Sequence, residues 1–163
     1  ATLSSMAQAI EPSMRLSNPV GGPSARPSDR MVMDLLQSFG KANDYRDPTE
    51  LLLASARAPF IEERLGSLDV LRALSMRGAS LRMMLTYDGG TEGCTFVEWL
   101  MDKESEPTLE GKKAKYELVS SMLDCNSTII GGVLPSAVVK ELDEWKRGGP
   151  SHRRPISWEM ATE

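Results

Sequence analysis

The side chains that most often carry catalysis are few in this chain, and their pattern fits no known catalytic arrangement. The 163 residues include one histidine, His152, and two cysteines, Cys94 and Cys125. A zinc site built on histidine needs more ligands than this. A Ser-His-Asp triad would have to use His152, which lies in a Pro- and Gly-rich tail where no rigid element holds it. We expect the cysteines to be buried thiols rather than a disulfide, because their spacing matches no disulfide framework.

Three further motifs resemble catalytic or phosphate-binding ones only superficially. Glu62 and Glu63 are adjacent, and neighbours on a helix point about 100° apart, so the pair could not flank one substrate. Acidic residues there suit the first turn of a helix, where the helix dipole favours them. The pairs Gly89-Gly90 and Gly131-Gly132 lack the spacing and the preceding strand of a phosphate loop, and we expect them to end helices. We therefore predict a protein that is not an enzyme, with no cofactor and no metal.

Composition excludes two other classes of protein. The net charge is −4, whereas nucleic-acid-binding domains are usually clearly basic. No apolar run approaches the roughly 20 residues of a membrane span. The chain is 40% hydrophobic, enough to bury one modest core. We expect a protein that binds neither nucleic acid nor membrane.

The elements that must position any site are predicted to be helices nearly throughout, because apolar residues recur every three to four positions and strand-like alternation is absent. Residues 1–10 carry Leu3, Met6 and Ile10 on one face and are predicted to be the end of a helix from a missing upstream repeat. Residues 11–27 contain four prolines and a Gly pair and are predicted to be a loop. Residues 28–147 are predicted to be helical repeats, and 148–163 a C-terminal tail. The chain begins Ala-Thr-Leu rather than with Met, and we expect a fragment.

Local start and stop signals predict the individual helices. Ser28 is a suitable N-cap, and so is Asp47, which precedes Pro48 at the first helical position. The predicted helices are, in order, Ser28 to Gly40, Asp47 to before Pro59, Pro59 to Met76 as the longest, a short one capped by Ser80, Thr91 to Asp102, Pro107 to Leu123, a short turn from Asn126 ended by Gly131-Gly132, and Pro135 to about Arg147. Short sequential connections favour an α-solenoid of helix pairs, although a compact bundle is the alternative.

Four blocks of residues then give the chain a resemblance to a known family, the 26S proteasome non-ATPase regulatory subunit 5 family. Their order and spacing match as well as their residues. The likeness covers residues 29–163 and no block is a catalytic signature. The blocks are Arg46-Asp47-Pro48-Thr49-Glu50-Leu51; Pro59-Phe60 running into Leu68, Val70 and Leu71; Phe96-Val97-Glu98-Trp99-Leu100 with Asp102; and Ala114-Lys115-Tyr116-Glu117-Leu118-Val119.

This resemblance implies an all-α, armadillo/HEAT-like solenoid fragment with an extended C-terminal tail. It also implies an assembly chaperone of the proteasome regulatory particle base, which binds an ATPase subunit transiently through that subunit's C-terminal domain in the cytoplasm and nucleus. The alternative is a generic α-solenoid scaffold or adaptor for another protein. Two parts depart from the family: the Pro-rich stretch 11–27, and the tail, where Ser151 to Arg154 stand in place of expected aromatic residues.

The sequence does not assign partner-binding residues, because solenoid surfaces carry no motif. The charged stretch 102–117 is typical of a loop and a solvated helix face, and the alternative is a partner-binding edge. The methionines Met76, Met83, Met84, Met101 and Met122 are predicted to fill the core, with an adaptable binding surface as the alternative and Met83 as the best candidate for exposure.

Three aromatic residues and one leucine complete the predictions for single positions. Leu118 and Trp145 lie on apolar helix faces, and we predict that both belong to the core. The hydroxyl of Tyr116 should reach solvent or a neighbouring helix. Trp158, in the tail, is predicted with equal weight to pack on the solenoid or to lie free.

Overall fold

Residues 27–151 are described by a computed structural model, in which α-helices joined by short turns form the whole architecture and no residue is in a strand. Short 3-10 turns at Gly90–Glu92 and Lys103–Ser105 flank one of the helices. The helices are α1 (Asp29–Ala42), α2 (Pro48–Ala56), α3 (Ile61–Ser75), α4 (Gly78–Leu85), α5 (Phe96–Met101), α6 (Leu109–Val133) and α7 (Ser136–Arg147). The all-α prediction is confirmed for this part of the chain.

Side-chain caps fix several helix starts at the positions that the sequence indicates. Ser28 Oγ accepts a hydrogen bond from the Met31 backbone N–H at 3.2 Å, and Asp47 Oδ1 accepts one from the Thr49 N–H at 2.7 Å. Both satisfy N–H groups that have no partner within the helix. At α5, Thr95 and Glu98 form a reciprocal capping box. The predicted caps Ser28 and Asp47 are therefore confirmed.

The longest helix, α6, packs against α3 in a parallel orientation at the centre of the molecule. Arg64 in the first turn of α3 pairs with Glu106, just before α6. Further along, Arg72 Nη1 lies 3.2 Å from Glu117 Oε2. At the end of α3, the Ser75 carbonyl accepts a hydrogen bond from Asn126 Nδ2 at 2.8 Å. These contacts follow the same order along both helices, so the helices run in the same direction.

The helices fall into two groups of three, α1–α3 and α4–α6. The two third helices, α3 and α6, pack side by side, and so do the two first helices, α1 and α4. Helix α7 packs on α6 as α4 packs on α3. Each group buries its apolar faces against the next, as solenoid repeats do. The predicted solenoid is confirmed, with helices grouped in threes as in armadillo repeats rather than in pairs.

Several predicted helix ends are wrong because tertiary contacts override the local signal. Gly40 lies inside α1: a Cβ there would come within 2.7 Å of the Arg46 carbonyl oxygen, so the glycine admits the next turn of chain. Ser80 is no N-cap, since α4 begins at Gly78 and Ser80 Oγ donates to the Leu74 carbonyl at 2.6 Å. The predicted helix Thr91 to Asp102 forms only over Phe96–Met101.

The region around Asn126 combines a correct and an incorrect prediction. Asn126 has φ −137° and ψ 34°, which breaks the regular helix geometry where a new turn was predicted. However, α6 continues through this kink and past Gly131-Gly132 to Val133, where those glycines were predicted to end it. Helix α6 is thus 25 residues long and α3 is 15, so the helix after Pro59 is not the longest.

Two predicted segments lie outside the described residues: the helix of 1–10 with most of the loop 11–27, and the tail from His152, including Trp158. At the N-terminal limit of the described chain, Arg77 Nη1 donates to the Pro27 carbonyl at 2.8 Å and lies 3.1 Å from Asp29 Oδ1. These two bonds hold the start of α1 against the start of α4.

Candidate binding surface

The residues considered for catalysis are not brought together. Glu62 and Glu63 are both exposed in the first turn of α3, as predicted. Gly89 and Gly90 have positive φ in the turn after α4. Cys94 is half-buried and Cys125 is exposed, both as free thiols, so the prediction of two buried cysteines is wrong. Between residues 27 and 151, no group of three or more His, Cys, Asp or Glu side chains could hold a metal ion.

The charged stretch 102–117 contains a buried ion pair rather than only a solvated face. Glu106 is 3% exposed and its carboxylate faces the guanidinium of Arg64, which is 6% exposed. The two bonds are Nε to Oε2 at 3.1 Å and Nη2 to Oε1 at 3.3 Å. Such a fork-to-fork pair fixes orientation as well as charge. The prediction of a wholly solvated stretch is therefore wrong at Glu106.

Every remaining polar atom of this pair has a partner. Arg64 Nη1 donates to the carbonyls of Ala58 and Pro59, each at 3.0 Å, and Glu106 Oε1 accepts from the backbone and hydroxyl of Thr108. A buried charge pair is tolerated only with such hydrogen bonding. The pair therefore ties the turn before α3 to the turn before α6.

Lys115 is the second buried charge of the stretch, at 2% exposure. Its Nζ donates to the Asp102 carbonyl at 2.6 Å and to Ser105 Oγ at 2.8 Å, and it lies 4.5 Å from the centre of a Trp99 ring. Burial lowers the pKa of Lys115 to about 8, against the opposing effect of the nearby carboxylates. The prediction of a solvated position is wrong here too.

A matching lysine–tryptophan contact fastens α7. Lys103 Nζ lies 4.6 Å from a Trp145 ring centre and donates to the carbonyls of Trp145 and Gly149. Trp145 Nε1 donates to the Met101 carbonyl at 3.1 Å, and Tyr116 stacks on the Trp145 ring. Burial lowers the pKa of Lys103. Trp145 packs against the core, as predicted, and Tyr116 faces a neighbouring helix.

These contacts explain why the third and fourth blocks of the resemblance are spaced as they are. Trp99 and Asp102 of the third block meet Lys115 of the fourth. Leu118 is fully buried, as predicted. Contacts within and between these two blocks therefore help to hold the fold together.

The methionine prediction is confirmed in its main part. Met84 and Met122 are fully buried, and Met83 and Met101 pack against the core as partly buried side chains. Met83, the predicted candidate for exposure, is half-buried. Among the described methionines, Met31 is the exposed one, at 62%, and nothing in the sequence analysis singled it out.

Charged side chains also lie along the parallel helices α3 and α6, on a surface that we call the α3–α6 face. We define it by two stripes of exposed or half-buried side chains at helical spacing. They are Glu62, Leu65, Asp69 and Arg72 on α3 with Met76 directly after its end, and Glu110, Lys113, Glu117 and Asp124 on α6. The Arg72–Glu117 ion pair joins the two stripes, and Lys146 of α7 lies 2.6 Å from Asp124. The face is an extended surface of mixed charge with little exposed apolar area.

Sequence reasoning missed Arg64 and Gly111. Arg64 stands among exposed-looking polar residues at the start of α3, and only its partner 42 positions away shows why it is buried. Gly111 lies in the first turns of α6, against the Glu106 side chain. A glycine in an otherwise helical pattern is the one local signal, because glycine weakens a helix unless something packs against it.

The fold defines a helical-repeat protein of the armadillo/HEAT type. Comparison with known families is more specific: the family model described as proteasome non-ATPase 26S subunit matches residues 39–163. The match extends over more than half of the chain. The chain belongs to this family.

Two relatives agree with this assignment. Over 112 residues, the chain is 31% identical to the 26S proteasome non-ATPase regulatory subunit 5 of Bos taurus and 30% identical to that of Homo sapiens. The aligned part is 69% of this chain and 21% of each relative, so the chain spans about a fifth of their length. No solved structure matches significantly. Among the helices described, none is long and apolar enough to cross a membrane.

Proposed function

We propose that the protein acts as a chaperone in assembly of the 26S proteasome regulatory particle base and binds an ATPase subunit of the base transiently. The observation that carries the proposal is membership of the proteasome non-ATPase subunit family, together with an extended α3–α6 face. The family match supports a role related to the proteasome, and the face offers a surface on which a folded domain could lie.

The mechanism we propose is steric and non-enzymatic. Two repeats packed together through α3 and α6 would hold the C-terminal domain of the ATPase subunit and keep it from docking early on its next partner. Mixed charges at the edge of an interface steer association and fix register more than they add affinity. The Arg72–Glu117 and Asp124–Lys146 pairs hold charged groups in place on this face, so little side-chain freedom is lost on binding.

The α3–α6 face is the part of the described chain that we assign to this contact. Solenoids bind partners along surfaces that extend over several repeats. The chain spans about a fifth of the length of its relatives, so we expect the affinity of this stretch alone to be modest. We propose the cytoplasm and the nucleus as the places where the protein acts.

The direct test is a binding titration of the protein against the purified C-terminal domain of each base ATPase. We expect one domain to bind. Reversing an exposed charge on the face, Glu117→Lys, should weaken binding about tenfold, or about 1.4 kcal/mol. The control is Arg82→Glu, a charge reversal at a position on α4 that is also exposed and lies outside the face. Circular dichroism must show that both variants keep their helices.

The alternative is a solenoid scaffold for another protein. A dissociation constant in the millimolar range corresponds to a binding free energy of about −4 kcal/mol. If the folded protein binds none of the ATPase domains even this weakly, the chaperone proposal fails and the scaffold is favoured. If a domain binds but Glu117→Lys and Arg82→Glu weaken binding equally, the α3–α6 face is wrongly assigned.

A further inference from the structure

Two turns at one end of the parallel helices α3 and α6 expose large apolar side chains. Phe60, directly before α3, is 69% exposed, and Leu109, the first residue of α6, is 58% exposed. A proline in each of the two turns is exposed as well. We call these four residues the Phe60–Leu109 patch: Pro59, Phe60, Pro107 and Leu109.

The buried ion pair fixes these two turns relative to each other. The guanidinium of Arg64 donates to the Pro59 carbonyl at 3.0 Å and faces the Glu106 carboxylate. The same carboxylate accepts hydrogen bonds from the backbone and the hydroxyl of Thr108, the residue before Leu109. Both halves of the patch are therefore carried by backbone that is bonded to one ion pair.

The stability of α3 does not explain a phenylalanine at position 60. Phe60 holds the N-cap position of α3, where Ser, Thr, Asp or Asn would accept a hydrogen bond from a free backbone N–H, and its side chain makes no such bond. Because the ring is mostly exposed, it adds little to the core. A residue that breaks a local rule without a gain in packing is expected at a functional site.

The patch also has the composition of a binding site. Exposed aromatic side chains are common anchors of protein interfaces, and clustered exposed apolar residues mark interaction sites. The two prolines and the buried ion pair restrict the backbone beneath the patch. Little conformational freedom would therefore be lost when a partner binds.

The rim of the patch is acidic. Glu62 and Glu63 follow Phe60 in the first turn of α3, and Glu110 follows Leu109 in the first turn of α6. All three side chains are exposed. A partner with positive charges beside its apolar side chain would therefore be favoured over one with negative charges.

The cations close to the patch in sequence do not neutralise this rim. Arg57 and Arg64 are each paired with a glutamate other than these three. Lys112 and Lys113 lie about one helical turn beyond Leu109 on α6. The excess of negative charge at the patch itself thus remains.

We propose that the Phe60–Leu109 patch binds a segment of a partner protein in which apolar side chains stand between basic residues. The apolar side chains would pack on Phe60 and Leu109, and the lysines or arginines beside them would meet the acidic rim. This inference names the chemistry of the bound segment and does not depend on the proposed role in proteasome assembly.

A second copy of this chain is a poorer occupant for two reasons. A symmetric contact would bring the same carboxylates of both copies against each other. In addition, four residues supply far less than the roughly 800 Å² that each partner buries in a standard interface. The size of the patch suits a short segment.

A binding titration of the full chain with a labelled peptide tests the proposal. The probe has two leucines between lysines, and the control peptide has glutamates in place of the lysines. We expect the lysine peptide to bind at least about tenfold more tightly, since its charges complement the rim. Glu62→Gln/Glu63→Gln/Glu110→Gln should abolish most of this preference. Equal binding of the two peptides to the parent protein would overturn the proposal.

The variant Phe60→Ser separates binding from stability. We expect it to weaken the lysine peptide at least about tenfold, as the loss of an interface anchor does. It should not lower Tm, because serine is a favoured N-cap residue. The matched control is Tyr45→Ser, which removes another highly exposed aromatic ring, before α2. Equal effects of the two variants on peptide binding would refute the assignment to this patch.

Sedimentation of the parent protein completes the test. We expect no self-association that depends on Phe60. A dimer that dissociates in Phe60→Ser would show that a second copy covers the patch, and would overturn the proposal. Since none of these measurements uses an ATPase domain, failure here is distinct from failure of the proposed function.

Discussion

Gly111 on α6 lies directly against the carboxyl end of Glu106, at the place where any other residue would carry its Cβ. An added Cβ would come within 2.5 Å of Glu106 Cγ and closer still to the carboxylate. The Glu106 carboxylate is also paired with Arg64, so the side chain cannot move away from an added methyl group without breaking that ion pair. The glycine and the buried ion pair therefore depend on each other.

We expect Gly111→Ala to lower the free energy of unfolding by at least about 2 kcal/mol, because the methyl group must displace a paired, buried carboxylate. Chemical denaturation measures this. The matched control is Gly132→Ala on the same helix, where a Cβ would meet nothing within 4 Å. There alanine should stabilise by about 0.5–1 kcal/mol through helix propensity. Similar effects of the two variants would contradict the packing.

The Arg64–Glu106 pair should be worth much less than the loss of either partner suggests. Arg64→Met leaves a carboxylate buried without its cation and should destabilise by about 3–5 kcal/mol. Adding Glu106→Met removes the stranded charge, so we expect the double variant to recover most of that loss. Denaturant titrations of the two singles and the double complete the cycle. A double variant that is worse than Arg64→Met would show that the pair itself dominates.

Lys115 should make stability rise with pH in the alkaline range. The pKa of Lys115 is about 8 in the folded protein, whereas in the unfolded chain it has its ordinary value of 10.5. At any pH between these two values, the unfolded chain therefore binds more protons than the folded one. Stability then increases as pH rises from about 8 to about 10.5. We expect the difference in unfolding free energy, parent protein minus Lys115→Met, to increase as the pH rises through this window. Taking the difference separates the contribution of Lys115 from that of other titrating groups. Tyr87 is one of these, because burial raises its pKa. A flat difference would contradict the burial of the ammonium group.

The turn between α1 and α2 stores backbone strain. Asp44 and Tyr45 have φ of 58° and 59°, a left-handed conformation that costs a non-glycine residue about 1–2 kcal/mol. Tyr45 is 82% exposed, so its ring contributes little packing. We expect Tyr45→Gly to raise the free energy of unfolding by about 0.5–1 kcal/mol. Tyr45→Ala, which keeps the strain, should not. An equal gain for both would assign the effect to the ring instead.

Helix type and helix starts could be predicted from the sequence where the cause is local. Ser28 and Asp47 accept hydrogen bonds from N–H groups two or three residues further along the chain. These caps can therefore be predicted from a short stretch of sequence. Gly40 and Gly131-Gly132 misled the prediction of helix ends. A glycine inside a helix can allow another part of the backbone to come close, as Gly40 does for the Arg46 carbonyl in the turn after the helix. The path of that turn, and not the glycine itself, decides whether the helix continues.

The buried charges could not be predicted, since their burial depends on partners distant in sequence. Glu106 and Lys115 stand in a stretch where charges of both signs alternate, which is typical of a wet surface. Arg64 and Trp99 come from other helices and cover them. The stretch accordingly exposes fewer charges than the sequence suggests, and among those that remain exposed Glu117 pairs with Arg72.

The kink at Asn126 has a consequence for the geometry of the whole solenoid. Asn126 Nδ2 binds the last carbonyl of α3, and beyond this point α6 leans on α4, with Ile129 Cδ1 just 2.9 Å from where a Cβ of Gly78 would be. Because α6 continues through the kink, the same helix contacts both α3 and α4. One continuous helix therefore spans the junction between the two groups of three, and a change at Asn126 would act on both groups at once.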